Sequence, residues 1–433
     1  ADPRPEAPVS RLRLALDLLA TEGLGSVARR LLDRADERRR RLAYPARPGW
    51  RPEAPIPIVH LLAIPPSPRL GGVQTQLVAR REREIAAGRP FALLYPFTGR
   101  YRLEVDSAAG RAAIDLGAAP AGLPERAEEL EPEAFARSAR TALEACRAKS
   151  VRVEGAAGWP LGGLRDLAAE VPTTLAIHDF SLFCPRPHLV EEPVGLFCRY
   201  SRDPKRCVVC LRRSWPVELG FQERRRELAN GLLAAAESVV FPSEFLRRTY
   251  RELFPHPDAF RWQVEPPLLL ARAPAGDRPT GHSGLTRRIA YVGAAKRFKG
   301  AEVFAEVVER LAPRHPEISW HAFGGGDPDL LRRFRRLGVR VHGYYRAGTL
   351  PRLLARHRID QALLLSIVPE SYGLTLDECA LAGVPALVFD HGALAERAPQ
   401  GGGSVVPAAA GSAGVAGRIV EVAAAGRPAG PAW

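Results

Sequence analysis

The stretch that decides the fold is Glu370-Ser371-Tyr372-Gly373-Leu374-Thr375-Leu376-Asp377-Glu378. The apolar run from Ala362 to Val368 precedes it and predicts a buried strand, which ends at Pro369. The stretch from Leu374 to Ala382 is also apolar and predicts a helix that Gly383 closes. Because ligands of open parallel sheets bind where the carboxyl ends of strands lead into helices, this step predicts a ligand site.

Two glutamates and a helix start make this stretch suitable for a nucleotide sugar. The first N–H groups of a helix lack partners and its dipole is positive there, so Gly373, Leu374 and Thr375 suit a phosphate. Glu370 lies in the loop before the helix and can reach a bound sugar, whereas Glu378 can accept hydrogen bonds from ribose hydroxyls. The alternative is a surface helix whose acidic residues stabilise the dipole.

Composition indicates a globular protein of two domains. A chain of 433 residues can form two cores, and 46% hydrophobic with 25% charged residues is an ordinary balance. No apolar run has the length that crosses a bilayer, and the polar start does not resemble a signal peptide. We therefore expect a cytoplasmic location, with the inner face of the membrane as an open alternative.

The net charge of +14 comes almost entirely from arginine, which base composition of a genome can explain. A basic surface favours anionic partners, namely a nucleotide diphosphate, an anionic membrane face or a charged glycan. The charges are dispersed and no aromatic platform is interleaved with them, so we expect no nucleic-acid partner.

Strand and helix patterns alternate along the chain and predict an α/β fold of doubly wound, Rossmann-like sheets. Residues 1–50 predict a basic helical arm that docks on the first domain, with a membrane-surface role as the alternative. We assign 51–265 to an N-terminal, acceptor-side domain and the Pro- and Gly-rich stretch 266–286 to a linker. Residues 287–433 then form the C-terminal domain that binds the nucleotide sugar.

Two segments of the first domain are candidate site elements. Gly71 and Gly72 lie between a predicted strand and a predicted helix, where glycines allow a phosphate or sugar to approach the backbone closely. His178 and Asp179 follow the predicted strand Thr173–Ile177, where the imidazole can bond a sugar hydroxyl and the carboxylate can orient the ring or an acceptor. A satisfied structural histidine is the alternative.

Four of the six cysteines fall in one loop, at Cys184, Cys198, Cys207 and Cys210. The Cys-x-x-Cys spacing of the last two is that of a zinc half-site, and the first two complete a four-thiolate shell. A closed structural zinc site would supply order to a loop that predicts little secondary structure. Disulfides and free thiols remain the alternatives. Cys146 and Cys379 fall in predicted helices and are expected in the core.

The second domain opens with a predicted strand, Arg288–Val292, and a glycine-rich loop that carries Gly293, Lys296, Arg297 and Lys299. Positive side chains beside glycines at a helix start predict a phosphate clamp. Because lysine is rare in this chain, Lys299 is less readily explained as an ordinary surface residue than an arginine would be. A further strand leads to Gly343 and Tyr344.

These segments together resemble family-4 glycosyltransferases of the GT-B fold, over roughly residues 56–400 and most strongly in 178–210 and 288–396. The two glutamates match the E-x7-E motif of the family, and Lys299-Gly300 matches its Lys-Gly step. Bacterial members are similar in the cysteine-rich segment. Ala294 departs from the pattern, because the family usually has an arginine there. The other matching segments are His178-Asp179-Phe180, Cys184-Pro185-Arg186 and Pro242-Ser243-Glu244-Phe245.

The resemblance implies two facing Rossmann-like domains and transfer of a sugar from a nucleotide-sugar donor, with retention of configuration and without a catalytic metal. It implies that Glu370 positions the donor sugar, that Gly71-Gly72 faces the donor, and that the stretch at Gly343-Tyr344 lines the base pocket. The acceptor would be a glycan, a lipid-linked molecule or a protein, in cell-surface polysaccharide or glycoconjugate synthesis. A catalytically inactive GT-B domain that binds glycans or acts as a scaffold is the alternative.

Overall fold

The protein is described here by a computed structural model that covers residues 11–44, 47, 50–64, 71–107, 110–119, 132–254, 261–269 and 288–425. It divides into two compact units. The N-terminal unit comprises Glu37–Leu270 with Val368–Tyr372, and the C-terminal unit comprises Ala1–Asp36, Ala271–Ile367 and Gly373–Trp433. Most of the predicted linker, from 270 onward, lies outside the described residues.

The secondary structure alternates as the sequence predicts. The helices are α1 (Arg11–Glu22), α2 (Leu24–Ala43), α3 (Gly71–Ala86), α4 (Pro132–Cys146), α5 (Leu161–Glu170), α6 (Pro204–Leu211), α7 (Phe221–Ala235), α8 (Glu244–Leu253), α9 (Ala301–Leu311), α10 (Pro328–Arg336), α11 (Leu350–Arg356), α12 (Leu374–Leu381), α13 (Gly392–Arg397) and α14 (Gly411–Ala425).

The strands are β1 (Ile58–Leu61), β2 (Phe91–Phe97), β3 (Arg100–Ser107), β4 (Gly110–Ala118), β5 (Ser150–Glu154), β6 (Thr173–Ala176), β7 (Val190–Glu191), β8 (Leu196–Phe197), β9 (Ser238–Phe241), β10 (Trp262–Val264), β11 (Arg288–Val292), β12 (Ser319–Phe323), β13 (Arg340–Gly343), β14 (Gln361–Leu364), β15 (Ala386–Phe389) and β16 (Ser404–Val406).

The N-terminal unit is built on an eight-stranded sheet in the order β10-β9-β6-β5-β1-β2-β3-β4. The strands from β10 to β2 run parallel, and β3 and β4 add an antiparallel edge. The sequence did not predict β3, because alternate residues are charged. Beyond the exposed Arg100 these residues are buried but paired: Glu104 accepts from Tyr95 Oη at 2.5 Å and Asp106 from Tyr44 Oη at 2.7 Å.

The C-terminal unit is a six-stranded parallel sheet in the order β13-β12-β11-β14-β15-β16. Within the unit this is the order 3-2-1-4-5-6 of a Rossmann fold, which reverses direction between β11 and β14. Ligands of such sheets bind at the carboxyl ends of the strands beside this reversal. The fold therefore points to the loops after β11 and β14, which are the two segments that the sequence analysis singled out.

The helical arm was expected on the first domain, but its residues 11–36 belong to the C-terminal unit, and only the part from Glu37 onward belongs to the N-terminal unit. In the arm, Arg29 donates to the carbonyl oxygens of Tyr344 and His342, the latter at 2.9 Å. Glu22 Oε2 accepts from the backbone N–H of Tyr344 at 3.2 Å, and buried Asp33 pairs with Arg346 at 2.8 Å. The arm thus supplies hydrogen-bond partners to the backbone of the loop after β13.

No helix in the described part of the chain combines the length and the apolar character that a membrane span needs.

The cysteine-rich segment also differs from the expected irregular loop. It forms a small hairpin, β7–β8, and the helix α6, whose start is capped by the Asp203 carboxylate accepting from Lys205 and Arg206 N–H groups. Cys146 and Cys379 are buried in core clusters, as predicted.

We predict that Arg29→Ala loosens the loop after β13, because two backbone carbonyls lose a charged donor. The free energy of unfolding should fall by about 2 kcal/mol. Hydrogen exchange of the amides in 340–346 and the thermal midpoint provide the measurement. Arg34→Ala, at an exposed position of the same helix, is the matched control. Equal exchange rates in the two variants would show that the arm does not support this loop.

Candidate functional site

The loop after β11 is held by contacts that leave its lysines near the surface. Tyr291 Oη donates to the carbonyl oxygens of Ala294 and Lys299, at 2.7 and 3.1 Å. The backbone turns at Gly293 and Gly300, both with positive φ, and a Cβ at Gly300 would lie 1.7 Å from the carbonyl oxygen of Leu365. The loop therefore requires glycine where it crosses the end of β14.

The cationic side chains of this loop take different environments. Lys296 is exposed, and Arg297 forms an ion pair with Glu302 at 3.0 Å. Lys299 is half-buried, with Nζ 5.6 Å from the ring centre of Phe298. Of the predicted clamp residues, Lys299 is the cation whose position is most constrained by its surroundings.

The loop after β14 is joined to the loop after β11. The carbonyl oxygen of Phe298 accepts from Ile367 N–H at 2.9 Å and from Ser366 Oγ at 3.1 Å. His391 Nε2, in the loop after β15, lies 2.8 Å from the carbonyl oxygen of Ser366. Three adjacent strand ends are thus connected beside the reversal of strand order.

The helix α12 begins at this edge. Gly373 has a φ of 83° and lies so close to Leu394 that a Cβ would approach its Cδ2 to 2.3 Å. No side chain caps the start of the helix among the described residues, so Leu374 and Thr375 present the first amide groups. The helix start therefore packs on α13, next to the loop after β15.

Glu378 lies on α12, is 9% exposed, and accepts a hydrogen bond from the backbone N–H of Gly348. Burial raises the pKa of Glu378 to about 7, although the Gly348 bond opposes the rise. Glu378 also acts with burial to raise the pKa of Tyr345 well above its usual range. The structure thus brings Glu378 together with the loop after β13, which holds the predicted base-pocket residues Gly343 and Tyr344.

Glu370 lies in the segment 368–372, which belongs to the N-terminal unit. There the carbonyl oxygen of Ser371 accepts from Ser243 Oγ at 2.7 Å. Ser243 also caps α8 by accepting from Leu246 N–H at 3.2 Å, as the sequence predicts. The two glutamates of the motif are therefore supported by different units.

His178 lies beside a buried carboxylate that the sequence analysis missed. Its Nε2 is 3.5 Å from Glu154 Oε2, and His60 Nδ1 is 3.0 Å from Glu154 Oε1. Nε2 of His178 thus faces Glu154, whereas its Nδ1 is buried and makes no hydrogen bond to the described residues. A buried ring nitrogen without a hydrogen-bond partner can bind a hydroxyl group of a ligand. The signal in the sequence was His60 in the apolar strand β1 and Glu154 at the end of β5.

Two arginines and a second glutamate complete this cluster. Burial would raise the pKa of Glu154, but His178, His60 and Arg152 outweigh it and hold the pKa well below its usual range. Burial lowers the pKa of His60 against the opposing effect of Glu154. Arg152 pairs with Glu154 at 3.1 Å and with Glu265 at 3.0 Å, and Arg80 pairs with both acids. The cluster therefore favours an ionised Glu154 and a neutral His60.

The remaining predicted residues of this unit have local roles in the structure. Asp179 Oδ1 accepts from the backbone N–H of Ser181 at 2.8 Å, and its carbonyl oxygen accepts from Tyr250 Oη at 2.7 Å. Its carboxylate thus stabilises the turn that carries His178. Gly71 and Gly72 are exposed at the first residues of α3.

Two groups of side chains have ligands that metals use. One cavity is lined by four free thiols, those of Cys184, Cys198, Cys207 and Cys210.

The other group consists of three histidines. In the described part of the chain it is the only group with three ligand atoms within 4.8 Å of one another, and its members are His321, His342 and His357. Burial, with Arg340 and neighbouring histidines, lowers the pKa of His321 to about 4 and of His342 to about 3. His342 stacks on Phe323 with ring centres 4.2 Å apart, so aromatic packing beside an arginine accounts for this group.

We predict that Glu378 makes the C-terminal unit less stable as pH rises. The pKa of this carboxyl rises from 4.5 to about 7 on folding, so the folded state binds the proton more tightly between these values. Stability relative to Glu378→Gln should fall through this window, by up to about 3 kcal/mol once the carboxyl is ionised. Thermal midpoints from pH 5 to pH 8 measure the effect. Glu306→Gln, at an exposed position, is the control, and parallel curves for wild type and Glu378→Gln would contradict the prediction.

Comparison with known proteins agrees with this geometry. Residues 286–428 match the family model described as "Glycosyl transferases group 1". No curated protein matches the sequence. The match covers the C-terminal sheet, including the loops after β11, β13 and β14.

Solved structures share the fold over most of the chain. A sucrose-phosphate synthase from Thermosynechococcus elongatus has a TM-score of 0.58 at 17% identity, covering 85% of this chain and 90% of that one. Anabaena Alr3699/HepE, solved with UDP, has 0.52 at 15%, covering 84% and 89%. The pneumococcal O-GlcNAc transferase GtfA, solved with UDP and GlcNAc, has 0.52 at 11%, covering 85% and 91%. The GT-B fold is thus confirmed, and residues 286–428 form a glycosyl transferases group 1 domain, which confirms the predicted class of enzyme, a glycosyltransferase.

Proposed function

We propose that the protein transfers a sugar, with retention of configuration, from a nucleotide-sugar donor to a hydroxyl acceptor in the synthesis of a cell-surface polysaccharide or glycoconjugate. One observation carries the proposal. Lys299, the uncapped start of α12 and buried Glu378 lie on connected strand ends at the reversal of the C-terminal sheet. This combination offers a cation, backbone amides and a carboxylate to one nucleotide diphosphate.

In the proposed reaction, negative charge accumulates on the leaving diphosphate. Lys299 and the amide groups of Leu374 and Thr375 would stabilise that charge, because they are already oriented and need no rearrangement. Lys296 is the second cation available, since Arg297 is paired with Glu302. The departure from the family pattern at Ala294 leaves the diphosphate with one fixed cation fewer than usual.

The other contacts of the donor follow from the chemistry of each group. Glu378 would accept from the ribose hydroxyls, and binding would then favour the ionised carboxylate. The backbone at Gly343 and Tyr344 would contact the base. Of the structural neighbours, HepE and GtfA were solved with UDP, which supports a nucleoside diphosphate of this class.

The N-terminal unit carries groups that suit a sugar hydroxyl. The buried Nδ1 of His178 has no partner among the described residues, and Glu154 would act as a positioning residue that fixes the imidazole through Nε2. Glu370 would position the donor sugar, and Asp179 would hold the turn of His178. We propose no catalytic metal, because fixed positive groups would stabilise the leaving diphosphate.

The test is donor binding and turnover by the full chain. We expect one of UDP, GDP, ADP or dTDP to raise the thermal midpoint, and the matching nucleotide sugar to release its diphosphate. Lys299→Ala should slow that release by about 100-fold, and Glu370→Ala should abolish transfer. Lys149→Ala, at an exposed position before β5, is the matched control for the lysine.

Glu154→Gln should change the pH profile of the rate more than it changes donor affinity. Product NMR reports the anomeric configuration.

Two outcomes would count against the proposal. If the protein binds a nucleotide but never turns over any donor, it is an inactive GT-B domain that binds glycans or acts as a scaffold. If no nucleotide shifts the midpoint and oligonucleotides bind with steep salt dependence, the basic surface serves nucleic acid instead.

We also propose that the arm contacts an anionic membrane face on the cytoplasmic side. On α2, Leu24, Leu31 and Leu32 are 79%, 57% and 56% exposed, and they lie on the side opposite to the buried Ser26 and Asp33. An exposed apolar stripe on an arginine-rich helix suits the surface of a bilayer with negative headgroups. A lipid-linked acceptor would be accessible from that position.

We predict that the protein sediments with phosphatidylglycerol vesicles and not with phosphatidylcholine vesicles at low salt. Replacing Leu31 and Leu32 by Ser should abolish this, because the apolar part of the stripe is lost. Val209→Ser, at an exposed apolar position on α6, should have no effect. Sedimentation that survives the arm variant would contradict this role of α2.

A further inference from the structure

The four cysteines of the segment 184–210 lie within the N-terminal unit, where Cys184 and Cys198 pack against its core. Cys184 precedes the hairpin β7–β8 and Cys198 follows it, with the N–H of Cys198 donating to the carbonyl oxygen of Leu189 at 2.9 Å. Cys207 and Cys210 lie three residues apart on α6, where such positions share one face. Two of the sulfurs thus flank the hairpin, and the other two lie on the helix.

All four cysteines line one cavity of about 20 Å³. A space of this size holds one water molecule or one ion and nothing larger. Electrostatic interactions join Cys198 to each of the other three cysteines. The sulfurs are further apart than the 4.8 Å that the three histidines satisfy, so closing them on an ion takes rotation of their side chains.

Backbone N–H groups point at the sulfurs, although burial raises the pKa of Cys184, Cys198 and Cys207 and so disfavours their thiolates when no cation is bound. The backbone N–H of Glu192 donates to Cys210 Sγ at 3.3 Å. The N–H of Arg186 donates to Cys184, and those of Tyr200 and Ser201 donate to Cys198. Backbone donors of this kind orient metal ligands and stabilise their charge.

Buried positive charge faces the same cavity. Arg226 of α7 is 8% exposed and donates to the carbonyl oxygens of Phe183 and Ser201, at 3.2 and 2.9 Å. Its charge interacts favourably with Cys207 and Cys184, and no ion pair in the described residues joins it to a carboxylate. A buried arginine without a carboxylate is costly unless another negative group compensates it.

We propose that Cys184, Cys198, Cys207 and Cys210 bind one Zn²⁺ in a closed structural site. Four thiolates around one ion carry a net charge of about −2, which Arg226 and the backbone donors compensate. Soft sulfur ligands in a set of four favour zinc over oxygen-preferring ions such as Mg²⁺. With no open position, the ion would take no part in transfer.

The consequence for the protein is order in the turn that carries His178. Gln222, Arg225 and Arg226 of α7 donate to the carbonyl oxygens of Ser181, Leu182 and Phe183, directly after that turn. The same helix faces the cysteine cavity. Metal binding would therefore stabilise α7, the cysteine segment and the turn of His178 as one unit.

The test measures metal in the purified full chain by mass spectrometry. We expect about one zinc per chain in the wild type, nearly complete loss in Cys207→Ala, and no loss in Cys146→Ala, whose sulfur lies in the core. Wild-type protein stripped by a chelator should lose thermal stability and regain it with Zn²⁺. Co²⁺ in its place should give thiolate-to-metal charge-transfer absorption, which Cys207→Ala abolishes.

Titration of the thiols in denaturant with a chelator distinguishes bound zinc, free cysteines and disulfides. It uses the wild-type protein, so no variant has to fold. Six reactive thiols together with bound zinc support the proposal, since the chain has six cysteines. Six thiols without zinc, and no stabilisation when zinc is added to the stripped protein, would overturn it in favour of free cysteines. A lower thiol count that a reductant restores would overturn it in favour of disulfides.

Discussion

Two hydrogen bonds to the carbonyl oxygen of Phe298 hold the candidate site together. They join the loop after β11 to the loop after β14, at the place where the strand order of the C-terminal sheet reverses. The close approach also requires Gly300, because a side chain there would collide with the backbone at Leu365. This contact fixes the loop that carries Lys299 against the end of β14.

Buried charge is the second constraint, and the protein compensates it in three regions of the described chain. In the N-terminal unit, Glu154 is surrounded by two histidines and two arginines. In the arm, Glu22 accepts a hydrogen bond from a backbone N–H group and Asp33 forms an ion pair with Arg346. Around the cysteines, Arg226 meets sulfur. Leaving any one of these groups unpaired in a low-dielectric interior would cost several kcal/mol, so each pairing fixes the geometry of the segments that carry it.

The arm changes how the C-terminal unit is understood. Its side chains hydrogen-bond the backbone on both sides of Gly343, and Glu22 lies against Gly325 as well. These are the loops after β12 and β13, which face ligands in a sheet of this order. The arm is therefore part of the structure that shapes the proposed base pocket, although it is more than 300 residues away along the chain.

Local patterns in the sequence were sufficient for most elements and for the candidate residues at their ends. Apolar runs of strand length, a serine cap at Ser243 and the turns at Gly300 and Gly373 each act within a few residues, so sequence alone determines them. The tertiary structure decided which distant groups meet: the arm with the loop after β13, Glu154 with His178 and His60, and four cysteines with Arg226. Those pairings depend on strand order and on which helix covers which face, and the period of a hydrophobic pattern carries no information about either.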